Sequence, residues 1–300
     1  MKRIISFVLI VITVLSLTSC ADLVRPSSKG DTAETTGAST EPVEETTAEV
    51  TTEAETTVPE TTVPETTVPE TTVPETTVPE TTEENAEPIY PKAFMYHCIH
   101  DEPYTEAINL FVRPSEFDAQ CQAIQEMGIK TIFADEFGPR EDEAVILTFD
   151  DGYEDNYTYM FPIIKKYNIK VTIFMIAYKI DQPNYLKTEQ IKEMVASGLV
   201  QFGSHTYDHP MLATIPEDEV YYQLSEAKAI LKEVTGQPIN ALAYPSGSFN
   251  DAVMSIVEGY HSFAYTTKEH EYWGQANVML PRYYVPRGMA IESFRNYLYW

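Results

Sequence analysis

Four residues carry the first sign of chemistry in this 300-residue chain. Asp150 and Asp151 are neighbours in Thr148-Phe149-Asp150-Asp151-Gly152, at the end of the apolar run Ala144-Val145-Ile146-Leu147. His205 and His209 stand at the two ends of His205-Thr206-Tyr207-Asp208-His209. One carboxylate and two imidazoles make a three-ligand site for a divalent metal, with a coordination position left open for water. The spare carboxylate is then available as a base. Together they are equipment for metal-assisted hydrolysis. Each residue alone has an ordinary reading, since an Asp before Gly is usually a turn and a lone His a satisfied polar group.

Such a site needs elements that bring distant segments to one place. Strand patterns occur at 93–96, 145–149, 171–176, 200–202, 241–244, 263–265 and 278–280. Helical patterns lie between them: one capped by Ser115 and closed by Gly128, then 157–167, one capped by Thr188 and ending near Ser197-Gly198, 216–234 closed by Gly236, one capped by Asn250, and 291–299. Strands alternating with helices predict a parallel α/β architecture. Asp150, His205 and Pro245 each follow a candidate strand, and a parallel barrel gathers functional residues at strand C-terminal ends. An open doubly wound sheet would do the same. In a regular strand, neighbours face opposite sides. Both carboxylates reach one centre only if the strand ends near Asp150 and the turn at Gly152 redirects Asp151.

Taken in order, Asp150-Asp151-Gly152, Gly203-Ser204-His205 with His209, and Ala243-Tyr244-Pro245-Ser246-Gly247 resemble the polysaccharide deacetylase family (carbohydrate esterase family 4, the NodB-homology domain). The resemblance covers most of residues 92–290. It implies an α/β fold, an irregular (β/α) barrel of the polysaccharide deacetylase type. It implies Asp151, His205 and His209 as metal ligands, Asp150 as general base, and one divalent metal, most often Zn2+, with Co2+ or Ni2+ accepted. For Asp150, a second metal ligand or a turn cap is the other reading.

Three departures from the family pattern matter. Pro245-Ser246-Gly247 stands where the family has Pro-Tyr-Gly. Ser246 keeps the backbone N–H that would hold a developing oxyanion, but loses the aromatic ring. The base-orienting Arg two residues before this proline is replaced by Ala243; Arg282 is the candidate substitute, against a plain salt bridge at the surface or core edge. The family's C-terminal Leu-x-His, source of the general acid, is absent. A related subgroup, similar to secreted poly-β-1,6-N-acetylglucosamine deacetylases, takes its acid from an N-terminal strand ending in Tyr-His. Phe94-Met95-Tyr96-His97 matches that, so His97 is the expected acid, with His100 as competitor and a buried structural His as the plain alternative. Tyr153, Tyr207, Tyr244, Trp273 and Tyr283 are candidate sugar-stacking rings, or core.

The N-terminus speaks to location. Lys2 and Arg3 precede an apolar stretch from Ile4 to Leu17, a secretory signal too short for a comfortable membrane span. Leu17-Thr18-Ser19-Cys20 resembles a bacterial lipobox, which implies cleavage before Cys20 and a lipid on its sulfur, against a plain signal peptide. Residues 1–20 are therefore expected to be a lipoprotein signal. Residues 21–88 read as an acidic tether, with Glu-Thr-Thr-Val-Pro repeating from Glu55 to Pro79. Thr, Glu, Pro and isolated Val cannot build a core. Residues 89–300 are the deacetylase domain. Its 16 basic and 29 acidic residues argue against nucleic acid as a partner. Cys98 and Cys121 are its only cysteines, and nothing in their placement requires a disulfide.

The expected function is removal of N-acetyl groups from a cell-surface or cell-wall amino-sugar polymer, poly-N-acetylglucosamine, peptidoglycan or chitin-like, by an enzyme lipid-anchored on the outer face of a bacterial membrane. The alternatives are a de-O-acetylase of xylan or another acetylated glycan, and a glycan-binding module without catalysis.

Overall fold

The computed structural model describes residues 88–104 and 107–300. The signal, Cys20 and the tether up to residue 87 lie outside the described residues. The strands are β1 (Lys92–Tyr96), β2 (Cys98–Ile99), β3 (Phe111–Val112), β4 (Lys130–Thr131), β5 (Ala144–Asp151), β6 (Val171–Met175), β7 (Val200–Ser204), β8 (Ala241–Ala243), β9 (Phe263–Tyr265) and β10 (Tyr283–Tyr284). The helices are α1 (Pro114–Glu126), α2 (Phe161–Tyr167), α3 (Thr188–Ala196), α4 (Glu217–Thr235), α5 (Asp251–Glu258) and α6 (Ile291–Tyr297).

β5 is the axis of the fold, and all eight of its residues are buried. A continuous Val/Ile/Leu run suits a parallel strand covered on both faces. Around it the order is β10-β1-β5-β6-β7-β8-β9, all parallel, with β4 pairing the start of β5. The sheet curls into the irregular (β/α) barrel that the motifs implied. Its last seam is narrow: Leu280 bridges Tyr265, and Tyr283 and Tyr284 then pair with Phe94 and Met95.

The period of two sorts side chains. Val145, Leu147 and Phe149 join the outer core beneath the helices, while Ala144 and Ile146 join the inner core with Ala93, Phe174, Ala241, Ala243 and Tyr265. Continuing the inner row of β5 gives Thr148 and Asp150. The barrel is thus apolar at its base and polar at its C-terminal rim.

Several expected boundaries shift for identifiable reasons. Residues 278–280 form no strand beyond the single Leu280 bridge, because Met279 N donates to Ala276 O at 2.8 Å and the segment enters the bridge from a turn. Ser115 lies inside α1; the cap is Arg113, whose N–H donates to Glu116 Oε2 at 3.0 Å. The helix expected from 157 opens as a π-turn, Asn156–Met160, before α2. Pro162 lacks the N–H for a normal i→i−4 bond, and a wide turn absorbs that. Asn250 does cap α5, accepting from Val253 N at 2.9 Å. Cys98 and Cys121 are both free and buried. Among the described residues no helix is long and apolar enough to cross a membrane.

Candidate active site

The rim brings the sequence-separated residues together. Asp151 Oδ1 lies 3.4 Å from His205 Nε2 and 3.7 Å from His209 Nε2. Ligands about 2.1 Å from one tetrahedral ion stand about 3.4 Å apart; the two Asp151 contacts are near that spacing, and all three donors lie within 4.8 Å of one another, a group that could hold one divalent ion. His205 Nδ1 lies 2.8 Å from the Ala243 carbonyl, which accepts only a proton-bearing nitrogen. That contact fixes the tautomer and leaves the Nε2 lone pair facing Asp151. Burial pushes the His205 pKa down, which also favours the neutral ligand form.

The backbone answers the question of two adjacent carboxylates. Asp151 itself takes a left-handed conformation, φ 72°, and Gly152 follows at φ 80°. This bend swings the Asp151 side chain to the same centre as Asp150. A Cβ on Gly152 would lie 1.9 Å from Met175 Sδ, so a larger residue would have to displace that side chain and hold a left-handed backbone. Thr206 (φ 66°), His209 (φ 73°) and Ser246 (φ 54°) are left-handed too. Four non-glycine residues in this sparsely populated region surround one site, where strain concentrates when the surroundings hold it.

What holds the histidine loop is Gln223, buried on α4. Its Oε1 accepts from Tyr207 N (3.1 Å) and Asp208 N (3.2 Å), and its Nε2 donates to Asp208 Oδ1 (2.7 Å). Thr206 Oγ1 accepts from His209 N at 3.1 Å. The sequence carried a signal for Gln223, a polar residue among Val220, Leu224, Ala227 and Leu231 on the apolar face of a helix.

Asp150 is held from the closing seam. Arg282, with no exposed surface, donates from Nη1 to Asp150 Oδ1 (2.6 Å) and from Nη2 to Asp150 Oδ2 (2.8 Å). This is a bidentate fork. The guanidinium is held in turn by Thr266 O (2.9 Å) and Thr148 Oγ1 (3.0 Å), over the Phe174 ring. Thr148 donates its own proton to Phe94 O at 2.7 Å. Burial raises the Asp150 pKa, but Arg282 and the neighbouring imidazoles outweigh it and bring the value down to about 2. Thr148 was overlooked in the motif, although a polar residue on the inward row of an apolar strand marks it.

His97 Nε2 is 4.0 Å from Asp150 Oδ2, beyond hydrogen-bond length but within the same cluster. Its buried Nδ1 has no hydrogen-bond partner among the described residues, and its carbonyl accepts from Asn156 Nδ2 at 2.8 Å. His100 points elsewhere: its Nδ1 accepts from Glu102 N, and its ring packs edge-on to Tyr104 and Tyr159. Ser246 is exposed in the turn Pro245–Gly247, and no hydrogen bond among the described residues uses its N–H. Of the candidate stacking rings, Tyr244 is core, packed on Phe249 with its hydroxyl on Val278 O. Tyr153 is half-buried, stacked on Tyr185.

The comparisons agree with this geometry. The family model described as polysaccharide deacetylase matches residues 137–263. That span holds both Asp residues, both His residues and Ser246, but neither His97 nor Arg282. A Bacillus subtilis (strain 168) protein, YxkH, provisionally named a polysaccharide deacetylase, is 30% identical over 225 residues, 72% of this chain and 78% of the relative. The poly-β-1,6-N-acetyl-D-glucosamine N-deacetylase of Staphylococcus aureus (strain MSSA476) is 26% identical over 213 residues, 64% of this chain and 72% of the relative. Among solved structures, the Streptococcus pyogenes deacetylase PplD in complex with acetate superposes with a TM-score of 0.64 at 28% identity, covering 71% of this chain and 99% of that one.

Proposed function

From its membership of the polysaccharide deacetylase family, we propose that this chain removes N-acetyl groups from an amino-sugar polymer, with a divalent metal held by Asp151, His205 and His209. One observation carries the reading. A metal-spaced triad sits beside a separate carboxylate that a buried Arg fork keeps ionised. The N-acetylglucosamine class of substrate is supported by the name of the Staphylococcus aureus relative. Zinc is the best match to a donor set of two imidazoles and one carboxylate.

A bound divalent ion would supply Lewis-acid polarisation of the acetyl carbonyl and make water easier to deprotonate. The chain's own residues do the rest. Asp150 accepts the proton of the attacking water at a carboxylate oxygen. Arg282 orients that carboxylate and keeps it ionised throughout the physiological range. A carboxylate with a pKa near 2 holds a proton only briefly, so the proton must pass on within the turnover. His97, 4.0 Å away, is placed to donate to the departing amine. The Ser246 N–H is the donor for the developing oxyanion.

The same reading extends to location. The Lys2–Leu17 leader, the Cys20 lipobox pattern and the repeat tether support an enzyme anchored by lipid on the outer face of a bacterial cell. A Cys20→Ser variant would then be shed into the medium; retention on cells would refute the anchor. The activity is tested by acetate release from N-acetylglucosamine oligomers against O-acetylated xylan, each with zinc. Release from the amide substrate is expected. Release from the ester alone would establish the de-O-acetylase, and release from neither the binding module.

A further inference from the structure

The catalytic rim is not the only place where this molecule offers a built concavity. At the opposite end of the barrel, a cavity of 180 Å3 is lined by Tyr90, Lys92, His270, Glu271, Tyr272, Tyr283 and Trp300, among others. Lys92 begins β1, whereas His97 follows its end. At about 3.3 Å per residue, the two sites are roughly 16 Å apart along the strand. The chain has two tryptophans; Trp300 lines the cavity, and Trp273 packs on the lining residue His270. Trp300 is 39% exposed and Trp273 65% exposed, the latter packed on the His270 ring at 4.4 Å. A fold that buries most of its large rings leaves its two largest side chains on one corner of the surface. Exposed aromatic patches of this kind mark binding sites.

The rings are held rather than loose. Trp300 Nε1 donates to Tyr90 O at 3.0 Å, and Lys92 Nζ sits 4.8 Å from the centre of the Trp300 ring. Tyr272 packs on Tyr90 at 4.4 Å and on Phe137 at 5.0 Å. The lining therefore combines fixed aromatic surfaces with an ammonium, an imidazole and a carboxylate at the edge. A purely apolar ligand would waste those polar groups, and an ionic one would waste the rings. A pyranose uses both, because it has apolar C–H faces and hydroxyls around its rim. The volume suits about one such ring.

We infer that this corner is a second saccharide-binding site, which holds a sugar unit of the glycan away from the catalytic rim. The inference rests on a glycan as the substrate, but not on catalysis. A polymer bound at two points gains effective concentration at the second. The site should therefore matter for long chains and not for short ones.

Trp300 lines the cavity and Trp273 packs on a lining residue, so tryptophan emission reports the site. The full chain would be titrated with a soluble β-linked N-acetylglucosamine pentamer. A saturable change in emission is expected, and it should persist in the His205→Ala/His209→Ala variant, which separates this site from the catalytic one. Trp300→Ala should weaken pentamer affinity by calorimetry about tenfold. It should leave acetate release from a dimer unchanged and lower release from the polymer. Should Trp300→Ala melt early, Trp273→Ala, which removes a more exposed ring, must weaken binding instead. No emission change at saturating pentamer, or an unchanged affinity in both variants, would overturn the inference. So would a cavity that binds only after residues 21–88 are deleted, since the tether would then be its occupant.

Discussion

At the scale of the residue, the arrangement turns on Arg282. No local motif surrounds it, yet its guanidinium grips Asp150 through both carboxylate oxygens, and in the proposed mechanism it takes the task that the family assigns to a different position. Its fork around Asp150 is fully buried, so removing one partner leaves an uncompensated charge. Arg282→Met should lower stability by about 3–5 kcal/mol in urea melts. Burial would then push the Asp150 pKa up, and the acid limb of kcat/KM should move toward neutral pH. An unmoved limb would show that Asp150 is not the base. His97 makes a separate prediction. An amide expels a poor leaving group and an aryl acetate a good one. His97→Ala should lower turnover of an N-acetylglucosamine oligomer by about 10²–10⁴-fold. Hydrolysis of the aryl acetate should fall far less, and metal should be retained. Equal losses on both substrates would make His97 structural; a selective defect in His100→Ala would move the role there.

At the scale of the element, the site depends on short pieces of strained backbone fixed by longer regular ones. The loop carrying both histidines is tied to α4 through Gln223, which serves two loop amides and one side chain. Gln223→Leu keeps the size but loses all three bonds to the loop. Metal affinity should fall about 10–100-fold, the usual effect of losing an outer support of the ligands. Competition against a chelating dye measures it, and an unchanged affinity would mean that the loop holds itself. This scale also shows what the sequence made legible. The β5 run and the period of two were plain, and the motifs at its end and after β7 pointed to the Asp151, His205 and His209 cluster. The left-handed turn at Asp151 was not, because an Asp before Gly is compatible with many turns. Nor was β10, whose two residues become a strand only by meeting β1. Arg282 was legible as a candidate but its contact was not, since nothing local records that the seam at Leu280 to Tyr284 folds inward across the barrel.

At the scale of the whole molecule, acid should unfold the domain partly through His261. This side chain is buried after α5, outside the catalytic cluster. Burial and the nearby Lys228 ammonium push its pKa down to about 3. Its unfolded value is about 6.5, so between these limits the unfolded chain binds a proton that the folded one refuses. Stability from this group is present above pH 6.5 and is lost as pH falls toward 3. The loss is about 1.4 kcal/mol per unit, or about 2 kcal/mol by pH 5. His261→Gln should flatten that slope in urea melts between pH 6.5 and 4; an unchanged slope would place the acid sensitivity elsewhere.

The proposed activity depends on a hydrolytic metal centre, and metal stoichiometry read alongside acetate release tests whether the chain holds one. Wild-type chain dialysed against zinc should hold about one ion and release acetate from an N-acetylglucosamine oligomer. Asp151→Ala and the His205→Ala/His209→Ala variant should lose ion and acetate release together. Full zinc occupancy in the double variant, or undiminished acetate release from a metal-free chain, would contradict the account.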